Sequence, residues 1–176
     1  MKGWPRFLFA AALITLLVVP MAASGQEGTD RPFKAWLTGS AHWDSPGVSP
    51  SNCTIVTTLT DSMGQATHLG RVVASWSHCP AEPEYVTDGR LTITAKNGDM
   101  LSGRYDYDPT SGSNSFSVSW TGGTGRFAQA SGSVVLAYTV IPQFIPGCNP
   151  EPDPFPCFDF SVPWQWSATA TGTITY

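Results

Sequence analysis

The chain has 176 residues, a formal net charge of −4, 12% charged and 12% aromatic residues. That length fits one domain. An acidic balance with no basic run excludes a binder of the phosphate backbone, which needs clustered Lys and Arg to neutralise charge.

In chain order, Lys2 and Arg6 come first, followed by the apolar run 7–20 and the small residues Ala22, Ala23, Ser24 and Gly25. A basic start, an apolar centre and a small-residue exit predict a secretory signal peptide over residues 1–25, cut near Ser24 or Gly25. The run is shorter than the ~20 residues a spanning helix needs, so no stable membrane span is expected after its removal. The expected mature protein, 26–176, is then a single secreted or periplasmic domain. Without Lys2 and Arg6 its formal charge becomes about −6. In an exported chain the four cysteines Cys53, Cys79, Cys148 and Cys157 read as disulfides. Three connectivities are open. Cys53–Cys79, flanking one hairpin, and Cys148–Cys157, closing a local loop, are favoured. A zinc site would need closely spaced Cys or His pairs. Only His78 and Cys79 are close, and neighbours in sequence seldom ligate one ion, so no metal is expected.

Beyond the leader, period-two alternation recurs, the mark of strands with one buried face. A first strand is predicted over 33–43. Strands over 53–60 and 67–77 flank "DSMGQ", read as a hairpin turn. Strands over 90–96 and 100–108 flank "KNGD", where Asn97-Gly98 suits a type I′ turn with positive φ at both central residues. "DPTSGSN" is the next turn, with Pro109 and Gly112 as punctuation. Strands over 115–121 and 133–140 follow. The last strand, 164–176, alternates most regularly: Trp164, Trp166, Ala168, Ala170, Gly172, Ile174 and Tyr176 share one face, and Gln, Ser and Thr the other. Eight strands joined mostly by short connections predict an all-β antiparallel barrel, because closure removes exposed edges.

Residues 141–163 break the rhythm with a run of prolines, which cannot donate to a sheet ladder. They are expected to form a long loop closed by Cys148 and Cys157. Its Phe144, Phe155, Phe158 and Phe160 are candidates to cover a barrel mouth.

The glycine-rich stretch "TGGTGRFAQASG" has neither the spacing nor the Lys-Ser/Thr end of a phosphate loop. Its glycines instead permit tight backbone after the strand ending near Trp120. Phe127 and Ala130, three apart, fall on one side of a helical turn, so Phe127 is placed to plug one barrel end. Gly122, Gly123, Thr124, Gly125, Phe127, Ala130 and Gly132 together resemble the signature of the allene oxide cyclase and dirigent barrel superfamily. "ATHLGR" (66–71) and "LTITAKNGDMLSGRYDYD" (91–108) resemble its exported bacterial members. The resemblance covers roughly 33–140 and the last strand, and has no counterpart for the proline-rich insert. It implies an eight-stranded antiparallel barrel of calycin-type shape around a mostly apolar cavity, without a cofactor, and trimers. Allene oxide cyclases close an epoxide into a ring; dirigent proteins steer the coupling of phenolic radicals made elsewhere. Both act largely by holding a hydrophobic reactant in one shape.

Apolar inner faces are read for Leu91, Ile93, Leu101, Val118 and a candidate ligand-binding set of Tyr105, Tyr107, Phe116, Trp120, Trp164 and Trp166. Polar candidates for catalysis are few. His68 is one, through its near-neutral pKa; Arg104 and Asp106 share a strand face and matter only if that face points inward. No Gly-x-Ser-x-Gly elbow is present, and "DYDPTSGSN" lacks the Gly and Glu positions of a calcium loop. The leading expectation is a barrel that binds a small apolar or aromatic molecule without catalysis of its own. The alternatives are a cofactor-independent cyclase or isomerase, and a cell-envelope interaction protein that uses the 141–163 loop as its contact surface.

Overall fold

The computed structural model describes residues 28–44, 56–81, 85–108, 110–111, 114–149, 157–159 and 161–176. Eight strands follow one another: β1 Arg31–Asp44, β2 Val56–Ala66, β3 Gly70–Ala81, β4 Tyr85–Ala95, β5 Met100–Tyr107, β6 Ser115–Gly123, β7 Ser133–Ile141 and β8 Trp164–Ile174. Each pairs antiparallel with the next, and β8 returns to β1 over a ladder from Arg31↔Ile174 to Ala41↔Trp164, so the sheet closes into a barrel. The predicted signal peptide lies outside the described residues. Among the described residues no helix is long and apolar enough to cross a membrane.

The alternation in the sequence becomes an inside and an outside. On β8, Trp166, Ala168, Ala170 and Ile174 are buried, while Gln165, Thr169, Thr171 and Thr173 are exposed. On β1 the inward set is Phe33, Ala35, Leu37 and Ala41. These meet Leu91, Ile93, Leu101, Val118 and Leu136 in a single core.

Two turns differ from their sequence reading. "DSMGQ" is not a turn: it lies inside β2, and the chain reverses at 67–69, where His68 takes φ 69°. The cause is a bulge. Thr60 pairs with Ser40 and Met63 with Thr38, so β2 spends one residue more than β1, and it does the same against β3 between Leu59 and Ser62. A bulge of this kind flips which residues face inward: Thr57 is buried before it, Ser62 and Ala66 after it. A break in alternation therefore imitates a turn. The second correction is at Asn97-Gly98. Only Gly98 has positive φ (89°). Gly98 N–H donates to the Ala95 carbonyl at 2.9 Å and Ala95 N–H to the Asp99 carbonyl at 2.9 Å. This is a tight turn followed by a left-handed glycine, the three-residue hairpin rather than type I′. Strand β4 also starts earlier than predicted, at Tyr85. A bulge opposite Ser77–Cys79 lets Val86 and Gly89 both contribute to the inner side.

The glycine-rich motif caps one end. A single 3-10 turn, Gly125–Phe127, drops the Phe127 ring into the barrel with no exposed surface. Ala130 N–H closes on the Phe127 carbonyl at 2.9 Å. Thr124 ties the turn to β5: its Oγ1 accepts from Met100 N–H, and its own N–H donates to the Met100 carbonyl, both at 2.9 Å. Tyr176 packs on Phe127 with ring centroids 4.9 Å apart. Behind them Phe33 meets Trp120 at 5.0 Å. Buried, contacting rings close this end.

Candidate functional site

The opposite end is not filled. A cavity of about 260 Å³ occupies the half of the barrel toward the ends of β1, β3, β5 and β7. Its inner wall is Trp76 from β3 and Trp166 from β8, edge to face at 5.3 Å. Phe116 and Tyr138, stacked at 4.7 Å, form one side. Trp43 and Trp164, edge to face at 6.1 Å, form the other nearer the mouth. Room exists because Ala41, Thr57 and Ala168 point inward where larger side chains would meet the aromatic rings. Barrels of eight strands are near the size at which side chains fill the interior or leave space for one small ligand.

The loop over 141–163 forms part of the wall. Phe144 and Phe158 pair as an isolated antiparallel bridge, their rings 5.5 Å apart. Ile145 N–H donates to the Cys157 carbonyl at 2.9 Å and Asp159 N–H to the Gln143 carbonyl at 2.8 Å. The Cys148–Cys157 disulfide, expected from the sequence, closes this small hairpin. Pro142, Gln143, Phe158 and Asp159 line the cavity as a result. Phe144 is exposed, and Phe155 and Phe160 lie outside the described residues. Cys79 is disulfide-bonded as well; its expected partner, Cys53, is not among the described residues.

The polar centre is one that the sequence reading missed. His78 on β3 holds its Nδ1 2.8 Å from the Tyr105 hydroxyl, and that hydroxyl is 3.3 Å from the Ser77 carbonyl. If Nδ1 carries the proton, it donates to the phenol oxygen and the phenol donates to Ser77. In the other tautomer the phenol donates to Nδ1. Tyr105 sits where it does because Gly89 is directly opposite it in the β4–β5 register. A Cβ at Gly89 would lie 2.6 Å from the Tyr105 ring, so the ring lies flat over a residue with no side chain. Burial shifts both groups toward their neutral forms. It lowers His78 from 6.5 to about 4 and raises the Tyr105 phenol well above its ordinary value. The result is a neutral hydrogen-bonding pair in an apolar chamber.

The indole N–H groups of Trp76 and Trp166 find no acceptor among the described residues.

Of the ligand set read from the sequence, Tyr105, Phe116, Trp164 and Trp166 line the cavity. Trp120 does not: it faces inward but belongs to the plugged end, against Phe33. Tyr107 is half-buried against the core and outside the lining. The three catalytic candidates stand apart from the cavity. His68 lies in the β2–β3 turn at the plugged end, not on a strand, with Nε2 2.9 Å from the Pro32 carbonyl. Arg104 and Asp106 share the outer, exposed face of β5. Period two makes that unavoidable once Tyr105 between them points inward. The signal that marks His78 is that it continues the inward-facing series Val72, Ala74 and Trp76 of β3, and it carries no chemistry until Tyr105 is brought across from β5.

No protein-family model and no curated protein matches the chain. Among solved structures, one similar to it is a pterocarpan synthase dirigent protein, at 14% identity over 85% of this chain and 87% of that one, with a TM-score of 0.49. The closed eight-stranded barrel implied by the motif is present in the strand register of this chain itself.

Proposed function

We propose that the protein is an exported binding barrel that holds one small apolar or aromatic molecule in the open half of its interior and performs no reaction of its own. The observation that carries this reading is the asymmetry of the interior. One end is closed by the fully buried Phe127 ring and its aromatic neighbours, while the other keeps about 260 Å³ walled by aromatic rings. Apolar pockets with a few placed polar groups are the usual form of a small-molecule site. Export is read from the predicted leader, and the disulfides are compatible with it. Four residues of the stapled loop contribute to the cavity wall, which favours a part in ligand enclosure over a separate contact surface.

The test is a titration of a neutral naphthalene-type fluorophore, following tryptophan quenching in the wild type and in Ala168→Phe. Ala168 points into the cavity from β8, so a phenyl ring there intrudes on the space a bound molecule would take. Saturable binding lost in the variant, with an unchanged far-UV spectrum, is the expected result. Equal binding by both proteins sinks the reading.

A cofactor-free cyclase or isomerase is the second reading, and the His78–Tyr105 pair is the observation that favours it. A neutral imidazole against a neutral phenol can pass a proton between two points of a bound molecule. Turnover of a bound epoxide or enol that disappears in His78→Gln would establish it in place of simple binding.

A further inference from the structure

We propose that the mouth of the cavity takes the positively charged head of the ligand, a protonated amine or quaternary ammonium, while the ligand's apolar body occupies the space behind it. The inference rests on the cavity-binding reading and adds the charge of what is bound.

Three independent features converge on it. The first is the lining. Among the described residues around the cavity, Asp159 is the one of charged type, and its carboxyl is open to solvent at the rim. The Ser161 hydroxyl and backbone N–H both donate to it, which holds its carboxyl below the ordinary carboxylate range. It is therefore ionised at neutral pH. His78, deeper in, is neutral and offers no counter-charge.

The second feature is the company Asp159 keeps. Trp43, Trp164 and Phe158 line the same end of the cavity. Aromatic faces carry negative potential, and a cation held against them gains free energy that an uncharged group of equal size does not. A rim that carries both a carboxylate and aromatic rings has the chemistry that recognises ammonium groups.

The third feature is the distribution of charge along the barrel axis. Among the described residues, the chain connections at the mouth end carry Asp108 and Asp159 and no Lys or Arg. Arg31, Lys34, Arg71, Lys96 and Arg126 all belong to the plugged end, at the first residues of β1 and β3, the β4–β5 turn and the 3-10 cap, where they outnumber Asp30 and Asp99. A barrel polarised in this way draws cations toward its opening and repels anions from it. Neutral ligands feel none of this, so a purely apolar occupant gives no account of the arrangement.

The test compares three probes built on one phenyl ring, using calorimetric titration of the purified protein. They are benzyltrimethylammonium, its uncharged carbon isostere neopentylbenzene, and phenylacetate. The ammonium is expected to bind roughly 10-fold more tightly than the isostere at low salt, and phenylacetate most weakly. The ammonium advantage should shrink in Asp159→Asn and, in the wild type, as salt is raised. Equal affinities for ammonium and isostere overturn the proposal and leave cavity binding intact; so does a preference for phenylacetate. An ammonium preference that ignores both salt and Asp159→Asn overturns the placing of the charge at the mouth. Failure of all three probes to bind overturns this proposal together with the cavity reading on which it rests.

Discussion

Replacing His78 with Gln keeps a hydrogen-bonding side chain beside Tyr105 and removes the one imidazole among the described residues of the cavity wall. In the folded protein the imidazole is held at about 4, against 6.5 when exposed, because burial disfavours its charged form. Between those two values the unfolded chain takes up a proton that the folded chain refuses. Stability must therefore rise with pH through this window. It is complete above about 6.5, falls as the pH drops toward 4, and this contribution is constant once both states are protonated. At about 1.4 kcal/mol per pH unit, the full shift corresponds to about 3 kcal/mol. The ring keeps part of its surface exposed, and solvent screening reduces the expected effect to about 2 kcal/mol. Asp108 and Asp159, whose carboxyls are held low by neighbouring Ser and Thr hydroxyls, also lose stabilisation in acid, but they do so equally in wild type and variant. The assay is urea unfolding of both proteins at several pH values across the window. Wild type should lose about 2 kcal/mol more than His78→Gln between neutral pH and pH ~4. Parallel losses would show that the imidazole is protonated in the fold and that the neutral pair has been misassigned. Proton NMR of the His78 ring gives a second check, since its shift should stay flat from neutral pH to about pH 5.

The remaining predictions concern the two ends of the barrel. Phe127→Ala removes a side chain with no exposed surface and its contact with Tyr176; thermal unfolding should show a loss of about 3–5 kcal/mol, or roughly 10 °C. Gly132→Ala should also lower the melting temperature by several degrees. Its φ is 112°, and an added Cβ would lie 2.7 Å from the Thr173 carbonyl on β8, a strain that no rotamer change relieves. Replacing both Cys148 and Cys157 with Ser should leave the barrel's melting temperature little changed and weaken the binding of a cavity fluorophore, because the bridge holds the loop that carries Phe158 and Asp159.

How much of this was legible before folding follows from which interactions are local. Alternation along each strand depends on nearest neighbours alone, so eight strands, their inward faces and the closed all-β sheet could be read from residue order. The cap was legible for the same reason: Gly125, Phe127 and Ala130 act within one turn. The β2 bulge was not, because one extra residue between Leu59 and Ser62 looks like the loss of period that also marks a turn. Only the Ser62↔Ala74 pairing distinguishes the two.

The site was the least legible part, and the physical cause is specific. Whether an inward ring fills the core or lines a void depends on what faces it across the barrel. Trp120 and Trp166 have the same strand-like surroundings in sequence and nearly equal burial, 5% and 4%. Yet Trp120 faces Phe33 and the plugged end, while Trp166 lines the cavity together with Ala41 and Ala168. The small residues that make the cavity carry no chemical signature of their own. The His78–Tyr105 pair is equally non-local, assembled from β3 and β5 over Gly89 on the strand between them. A candidate site in a barrel of this kind is therefore better sought from the positions of inward-facing Ala, Gly and Thr than from its aromatic residues. The rings occur at both ends, and only the missing side chains mark which end is open.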